Sequence, residues 1–194
     1  DRPEPRPFRF PIHMRLFQVL DARRRLCLGA LTGNRADVIM PGQPGPATTL
    51  DLLTTVDQDG LDIEAWLHEK REGGGVVAVD WGSLERTGKA GDYALTIPIT
   101  PPEVWGAGVT YRRSADFREE GLGIYDKIYE APRPELFFKA TASRSVGPHA
   151  AIGRRKDSAF TAAEPEVCVV VSRRGAILGY TLANDVSAWD IERD

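Results

Sequence analysis

An α+β fold with many short strands is what the residue pattern of this chain predicts, on three observations. Period-two runs bounded by turn residues occur near the start of the chain. Two stretches with helical apolar spacing, 48–56 and 61–72, follow. A proline-rich linker then leads to a second set of strand-like runs, ending in the hairpin-like stretch 164–185. The expected organisation is an extension or cloning remnant over 1–13, a small N-terminal α+β module over 14–98, and a second module over 99–194.

In chain order, residues 1–13 hold four prolines and three arginines and show no regular pattern. Residues 14–20 and 25–31 flank Asp21-Ala22-Arg23-Arg24 and read as a β-hairpin. Thr49 and Asp62 are candidate caps for the two helices. His68, beside Glu64 and Glu69, reads as a surface or half-buried histidine rather than a ligand. Gly73-Gly74-Gly75 ends the second helix and releases a strand over 76–81, with no G-K-[ST] or GxGxxG to mark a phosphate loop. The linker is Ile97-Pro98-Ile99-Thr100-Pro101-Pro102, extended by its prolines. Beyond it, 104–111 reads as a strand and 112–131 as a helical segment interrupted by Gly121 and Gly123.

At 194 residues the chain is long enough for one large or two small domains, and 42% hydrophobic with 27% charged residues is ordinary for a globular protein. A net charge of −3 argues against non-specific nucleic-acid binding. No run reaches the roughly eighteen apolar residues needed to cross a bilayer, so no membrane partner is expected. Cys27 and Cys168 lie in apolar runs without CxxC or Cys/His clustering. Reduced thiols, and hence a cytoplasmic setting, are expected.

The chemistry concentrates in 164–185. Glu164 and Glu166 share one strand face and precede the apolar run 167–171, expected to be buried. Ser172-Arg173-Arg174-Gly175 has turn chemistry and returns the chain along 177–183, which brings Asp185 back toward the glutamates. Three carboxylates on one buried edge need a counter-charge, and a hard divalent cation (Mg²⁺, Mn²⁺ or Ca²⁺) suits oxygen ligands. The residues alone leave a second reading open. Glu-Pro-Glu can be a solvated strand entrance and Asn184-Asp185 a turn, or an N-cap for a helix over 186–193.

These same residues resemble the fumarylacetoacetate hydrolase family. That family carries a Glu-x-Glu opening a hydrophobic strand and G-Y-T-x-x-N-D-V-[ST]-A-x-D about twenty residues on. Here the second motif stands as Gly179-Tyr180-Thr181-Leu182-Ala183-Asn184-Asp185-Val186-Ser187-Ala188-Trp189-Asp190. The resemblance covers roughly 101 to 194. It implies Glu164, Glu166 and Asp185 as ligands of a metal, usually Mg²⁺, and a mixed β-roll catalytic domain in a homodimer or larger homo-oligomer. Family members continue well past the position of Asp194, so the resemblance implies that this domain is represented in part.

Other positions follow the same resemblance. Tyr111 matches a family tyrosine at a strand end, and Lys139 in Pro134-Glu135-Leu136-Phe137-Phe138-Lys139 matches a lysine facing the substrate cavity. Ser145-Val146-Gly147-Pro148, with His149, resembles the loop bordering the substrate site. The histidine that activates water in hydrolytic members is replaced by Ser114. Glu119, Glu120 or His149 is left as an alternative base, and Arg112 and Arg113 to bind distal hydroxyls or a carboxylate.

A cation with three carboxylate ligands keeps about three positions for a chelating 2-oxo acid, whose C3 protons become acidic as the enolate is stabilised. The missing histidine tips the expectation from hydrolysis to elimination. The chain looks like the 2-keto-3-deoxy-D-arabinonate dehydratase-like branch of the family, which dehydrates 2-keto-3-deoxy sugar acids to 2,5-dioxo acids. The alternatives are a Mg²⁺-dependent hydrolase of acylpyruvate or fumarylacetoacetate-type C–C bonds, and an inactive 2-oxo-acid-binding protein.

Overall fold

A computed structural model of the chain describes residues 14–108, 132–133 and 135–192. The chain divides into two compact units, one of Asp1–Thr100 with Val146–Asp194 and one of Pro101–Ser145. The expected second module thus contributes to both.

In the first unit, period-two runs make the strands β1 (Met14–Leu20), β2 (Leu26–Thr32) and β3 (Arg35–Ile39), followed by α1 (Thr49–Asp59) and α2 (Ile63–Glu72). Next come β4 (Val76–Val79), a seven-residue helix α3 (Trp81–Thr87), β5 (Lys89–Ala90) and β6 (Tyr93–Leu95). The six strands form one antiparallel sheet in the order β4-β3-β2-β1-β6-β5. Each strand face finds its own cover. Leu28, Ala30 and Ile39 pack with Leu52, Val56, Ile63, Trp66 and Leu67 of α1 and α2. Phe17, Val19, Cys27, Leu31, Ala36 and Val38 pack with Leu84 of α3. Gly29 lies directly opposite Phe17, and a Cβ there would enter the Phe17 ring.

The helix ends follow side-chain capping. Thr48, one residue before the expected Thr49, caps α1 in a reciprocal box with Asp51, and Asp62 caps α2 as expected. The strand expected over 76–81 stops at Val79, because Asp80 opens α3. Only Leu84 of that helix is buried, so its sequence carries no apolar stripe to announce it.

Two polar groups at full burial order this unit. Gln18 (0% exposed) donates from Nε2 to the Ile97 carbonyl at 2.9 Å and to Thr100 Oγ1 at 3.2 Å, and its Oε1 accepts from the Thr49 amide at 3.1 Å. It ties β1 to the start of α1 and to the linker. Asp37, also 0% exposed, accepts from Arg35 Nε at 3.0 Å and from Arg71 Nε at 2.8 Å.

The same unit holds β9 (Thr161–Ala162), β10 (Pro165–Val171), β11 (Ile177–Asn184), β12 (Ser187–Ala188) and the helical turn α4 (Trp189–Glu192). Here β10 pairs with β11, and β9 with β12, both antiparallel. Leu178 joins Leu53 of α1 and Ile99 of the linker in a third apolar cluster. Arg174, at the hairpin turn, donates from Nε to Asp57 Oδ2 at 3.2 Å and lies 3.1 Å from Oδ1 through its NH2 group. The hairpin is thereby seated on α1.

Two expectations are corrected here. The run 167–171 is not buried as a whole: Cys168 and Val170 face inward, but Val167 is 60% exposed and Val169 and Val171 are exposed with it. A two-stranded ladder covers one face only, and period two sends alternate valines to the other. The helix expected over 186–193 shrinks to α4, because Ser187 and Ala188 pair with β9. Asp185 is therefore three residues too early to cap it.

The second unit contains β7 (Val104–Ala107) paired antiparallel with β8 (Leu136–Ala140), then a 3₁₀ turn over Ala142–Arg144. Trp105 and Phe138 meet edge to face, with ring centroids 6.0 Å apart.

Candidate functional site

The candidate site is built on the open end of the β10–β11 hairpin. The turn works as its residues dictate. Ser172 Oγ accepts from the amides of Arg174 and Ala176, and Gly175 takes φ 81°, where a side chain would be strained. The register then sets the faces. Glu166 lies opposite Ala183 and Pro165 opposite Asn184. One step further, the Asp185 amide donates to the Glu164 carbonyl at 2.9 Å, and Asn184 Oδ1 accepts from the Glu164 amide at 3.0 Å. Glu164 and Asp185 thus face each other across the ladder, and Glu166 stands two residues along on the same face. All three are half-buried.

Their carboxylates are hard oxygen donors, the set that Mg²⁺, Mn²⁺ and Ca²⁺ take. Opposite and i+2 positions on one strand face leave their oxygens within reach of a common point through side-chain rotation. As the side chains stand, no three His, Cys, Asp or Glu among the described residues are gathered closely enough to hold a metal ion. The donor chemistry and the register fit a cation; the rotamers are not drawn together around one.

Two side-chain contacts of the segment after β12 escaped the sequence reading. Trp189 donates from Nε1 to Glu164 Oε1 at 2.6 Å. Asp190 accepts from Ser158 Oγ at 2.9 Å and from the Ala159 amide at 2.6 Å. Burial alone would raise the Asp190 pKa, but these bonds and one from the Phe160 amide outweigh it and hold the carboxyl below its usual range. Cys168 shares the face of Glu166. Burial first, and the Glu166 charge second, raise its pKa, so it is a thiol rather than a nucleophilic thiolate.

The remaining marked residues fall elsewhere. His149 takes φ 63° and bonds through Nε2 to the Glu85 carbonyl at 3.0 Å, which pins its loop to α3. Gly147 fits against the backbone of Thr96 and Ile97, where a Cβ would collide. Lys139 is half-buried on β8 of the second unit, and Ser145 closes the 3₁₀ turn there, its Oγ donating to the Thr141 carbonyl at 3.2 Å. Tyr111, Arg112, Arg113, Ser114, Glu119 and Glu120 lie outside the described residues. An open cleft of about 590 Å³ between the β1–β2 turn, β4 and β6 is lined by Asp21, Arg25, Asp80, Ser83 and Tyr93, among others, and by none of the marked residues.

Comparison with known proteins supplies the context of this geometry. The chain is 43% identical over 151 residues to a 2-dehydro-3-deoxy-D-arabinonate dehydratase of Saccharolobus solfataricus, covering 73% of this chain and 51% of that protein. It is 50% identical over 104 residues to a probable 2-keto-3-deoxyxylonate dehydratase of Haloferax volcanii, covering 52% of this chain and 36% of the relative. Among solved structures it is similar to a 2-keto-3-deoxy-D-arabinonate dehydratase in its apo form, with TM-score 0.69 and 35% identity over 91% of this chain and 57% of the other. A structure of that enzyme complexed with magnesium and 2,5-dioxopentanoate matches with TM-score 0.64, 35% identity and the same coverage. The chain spans about half the length of the curated relative from S. solfataricus and about a third of that from H. volcanii. No protein-family model matches it. No helix among the described residues is long and apolar enough to cross a membrane.

Proposed function

We propose that this chain serves a divalent-metal-dependent lyase, a dehydratase of 2-keto-3-deoxy sugar acids. We place it in the fumarylacetoacetate hydrolase family, with 99–194 supplying part of that family's mixed β-roll catalytic domain. The observation that carries the proposal is the β10–β11 register, which sets Glu164, Glu166 and Asp185 on one face at one end of one hairpin. Likeness to two sugar-acid dehydratases selects elimination from the chemistries such a site supports.

In this proposal Glu164, Glu166 and Asp185 hold Mg²⁺, with Mn²⁺ or Ca²⁺ as substitutes. The bound cation supplies Lewis-acid polarisation of the 2-oxo group, which acidifies the C3 protons. Lys139 pairs its ammonium with the substrate carboxylate or biases the proton affinity of the metal site, and Lys139 and Tyr111 line the substrate site. Arg112 and Arg113 take distal hydroxyls, Glu119 and Glu120 are candidate proton carriers, and Ser145 and His149 border the substrate from their loop. The net reaction expels one C3 proton and the neighbouring C4 hydroxyl as one water; moving a proton from C5 to C3 then turns the resulting C3=C4 alkene into a C4=C5 enol, whose ketonisation leaves a 2,5-dioxo acid. A homo-oligomer and a cytoplasmic setting belong to the same proposal, the latter supported by two free thiols, Cys27 and Cys168.

The test is incubation of the intact protein and Mg²⁺ with a panel of 2-keto-3-deoxy sugar acids and acylpyruvates, with products followed by mass spectrometry. Loss of one water from a sugar acid, abolished by a chelator and by Glu166→Gln, is the expected result. Cleavage of an acylpyruvate into two acids, or full turnover by the Glu166→Gln variant, would overturn it.

A further inference from the structure

We propose that Trp189 is a positioning residue that sets the Glu164 carboxylate for a divalent cation; the inference rests on the metal role proposed above for Glu164. Its basis is the 2.6 Å bond from the indole Nε1–H to Glu164 Oε1, which spans 25 residues of sequence. A bond this short to a carboxylate is a charge-assisted one, about twice as strong as its neutral counterpart. An indole N–H only donates, so Trp189 cannot itself be a ligand. A carboxylate accepts at two oxygens and about four lone-pair sites, so the bond to Oε1 is compatible with a cation on the same group.

The indole is itself held from three sides. The pairing of Ser187 and Ala188 with Ala162 and Thr161 fixes the backbone immediately before it. Phe160 meets its ring edge-on, with centroids 5.4 Å apart and planes at 67°. Asp190, the next residue, is bonded to Ser158 and Ala159. A donor braced this way has one direction to point, and it restricts the rotamers of Glu164 at the ladder position opposite Asp185. Donors that orient a ligand from outside the coordination sphere typically change metal affinity about 10–100-fold when removed.

The experiment titrates Mn²⁺ into the intact protein and follows free Mn²⁺ by electron paramagnetic resonance, for wild type, Glu166→Gln and Trp189→Phe. Phenylalanine keeps an aromatic ring against Phe160 and removes the N–H together with part of the indole's volume. The expected result is a dissociation constant weakened about 10–100-fold in Trp189→Phe, with the metal-free thermal midpoint little changed. Affinity within twofold of wild type overturns the inference and leaves the metal site standing. Failure of wild type to bind Mn²⁺ overturns both, and equal binding by Glu166→Gln overturns the metal site. Should Trp189→Phe not fold, substoichiometric Mn²⁺ and the indole N–H resonances of the wild type decide the question. One of the four tryptophan signals must broaden well before the rest; uniform behaviour of all four overturns the inference.

Discussion

Truncating Leu178 to alanine separates the two contacts that seat the carboxylate hairpin on α1. Leu178 is 4% exposed and closes a cluster with Leu53, at 4%, and Ile99. The change removes three buried carbons, about 2.4 kcal/mol at ~0.8 kcal/mol each. With the cavity left between Leu53 and Ile99 the total becomes about 3 kcal/mol, inside the usual 2–5 range for such truncations. The second contact, Arg174 with Asp57, is bidentate, but the arginine is exposed and screened by solvent. It is worth about 0.2–1 kcal/mol. Urea unfolding of Leu178→Ala and Arg174→Ala should therefore give losses of about 3 kcal/mol and under about 1 kcal/mol. A loss below about 1 kcal/mol for Leu178→Ala, or a larger loss for Arg174→Ala, would show that the hairpin is held by its turn charge and not by the cluster.

Three further outcomes follow from polar groups. Gln18→Leu strands the buried Thr49 amide and takes the donor from the half-buried Ile97 carbonyl, and should cost about 2–3 kcal/mol in urea unfolding; a cost within about 0.5 kcal/mol would mean the linker does not depend on Gln18. Arg71→Ala leaves Asp37 fully buried with the more exposed Arg35 and should lower stability by about 3 kcal/mol, read from the thermal midpoint. Asp190 sits below the usual aspartate value near 3.8, so its contribution is complete above that pH and is lost as pH falls through the lower folded value. The stability gap between wild type and Asp190→Asn should be constant from pH 8 to about 5 and narrow below about 4; a gap unchanged in acid would remove the carboxylate from the account.

What could be read in advance, and what could not, divides by the range of the interactions. The β1–β2 hairpin, the cap at Asp62 and the reversal at Ser172–Gly175 are decided within a few residues, and each was legible. So was the placement of Glu164, Glu166 and Asp185, because a local turn and a period of two fix their faces. The helix α3 was not legible, since one buried leucine leaves no periodic signal. The exposure of Val167, Val169 and Val171 was not either, because an apolar run does not state how many of its faces are covered. The bond from Trp189 to Glu164 depends on the pairing of β12 with β9, a long-range event that neither segment announces. The same holds for the N-terminal module, which carries no motif and reads as structural filler. Its Leu53 and Asp57 nonetheless meet Leu178 and Arg174. Along β11, five residues separate Leu178 from Ala183, the ladder partner of Glu166, about 16 Å at the rise of a strand. A two-stranded hairpin is marginal alone in water, so the geometry of the three carboxylates depends on a module that contributes no carboxylate to them.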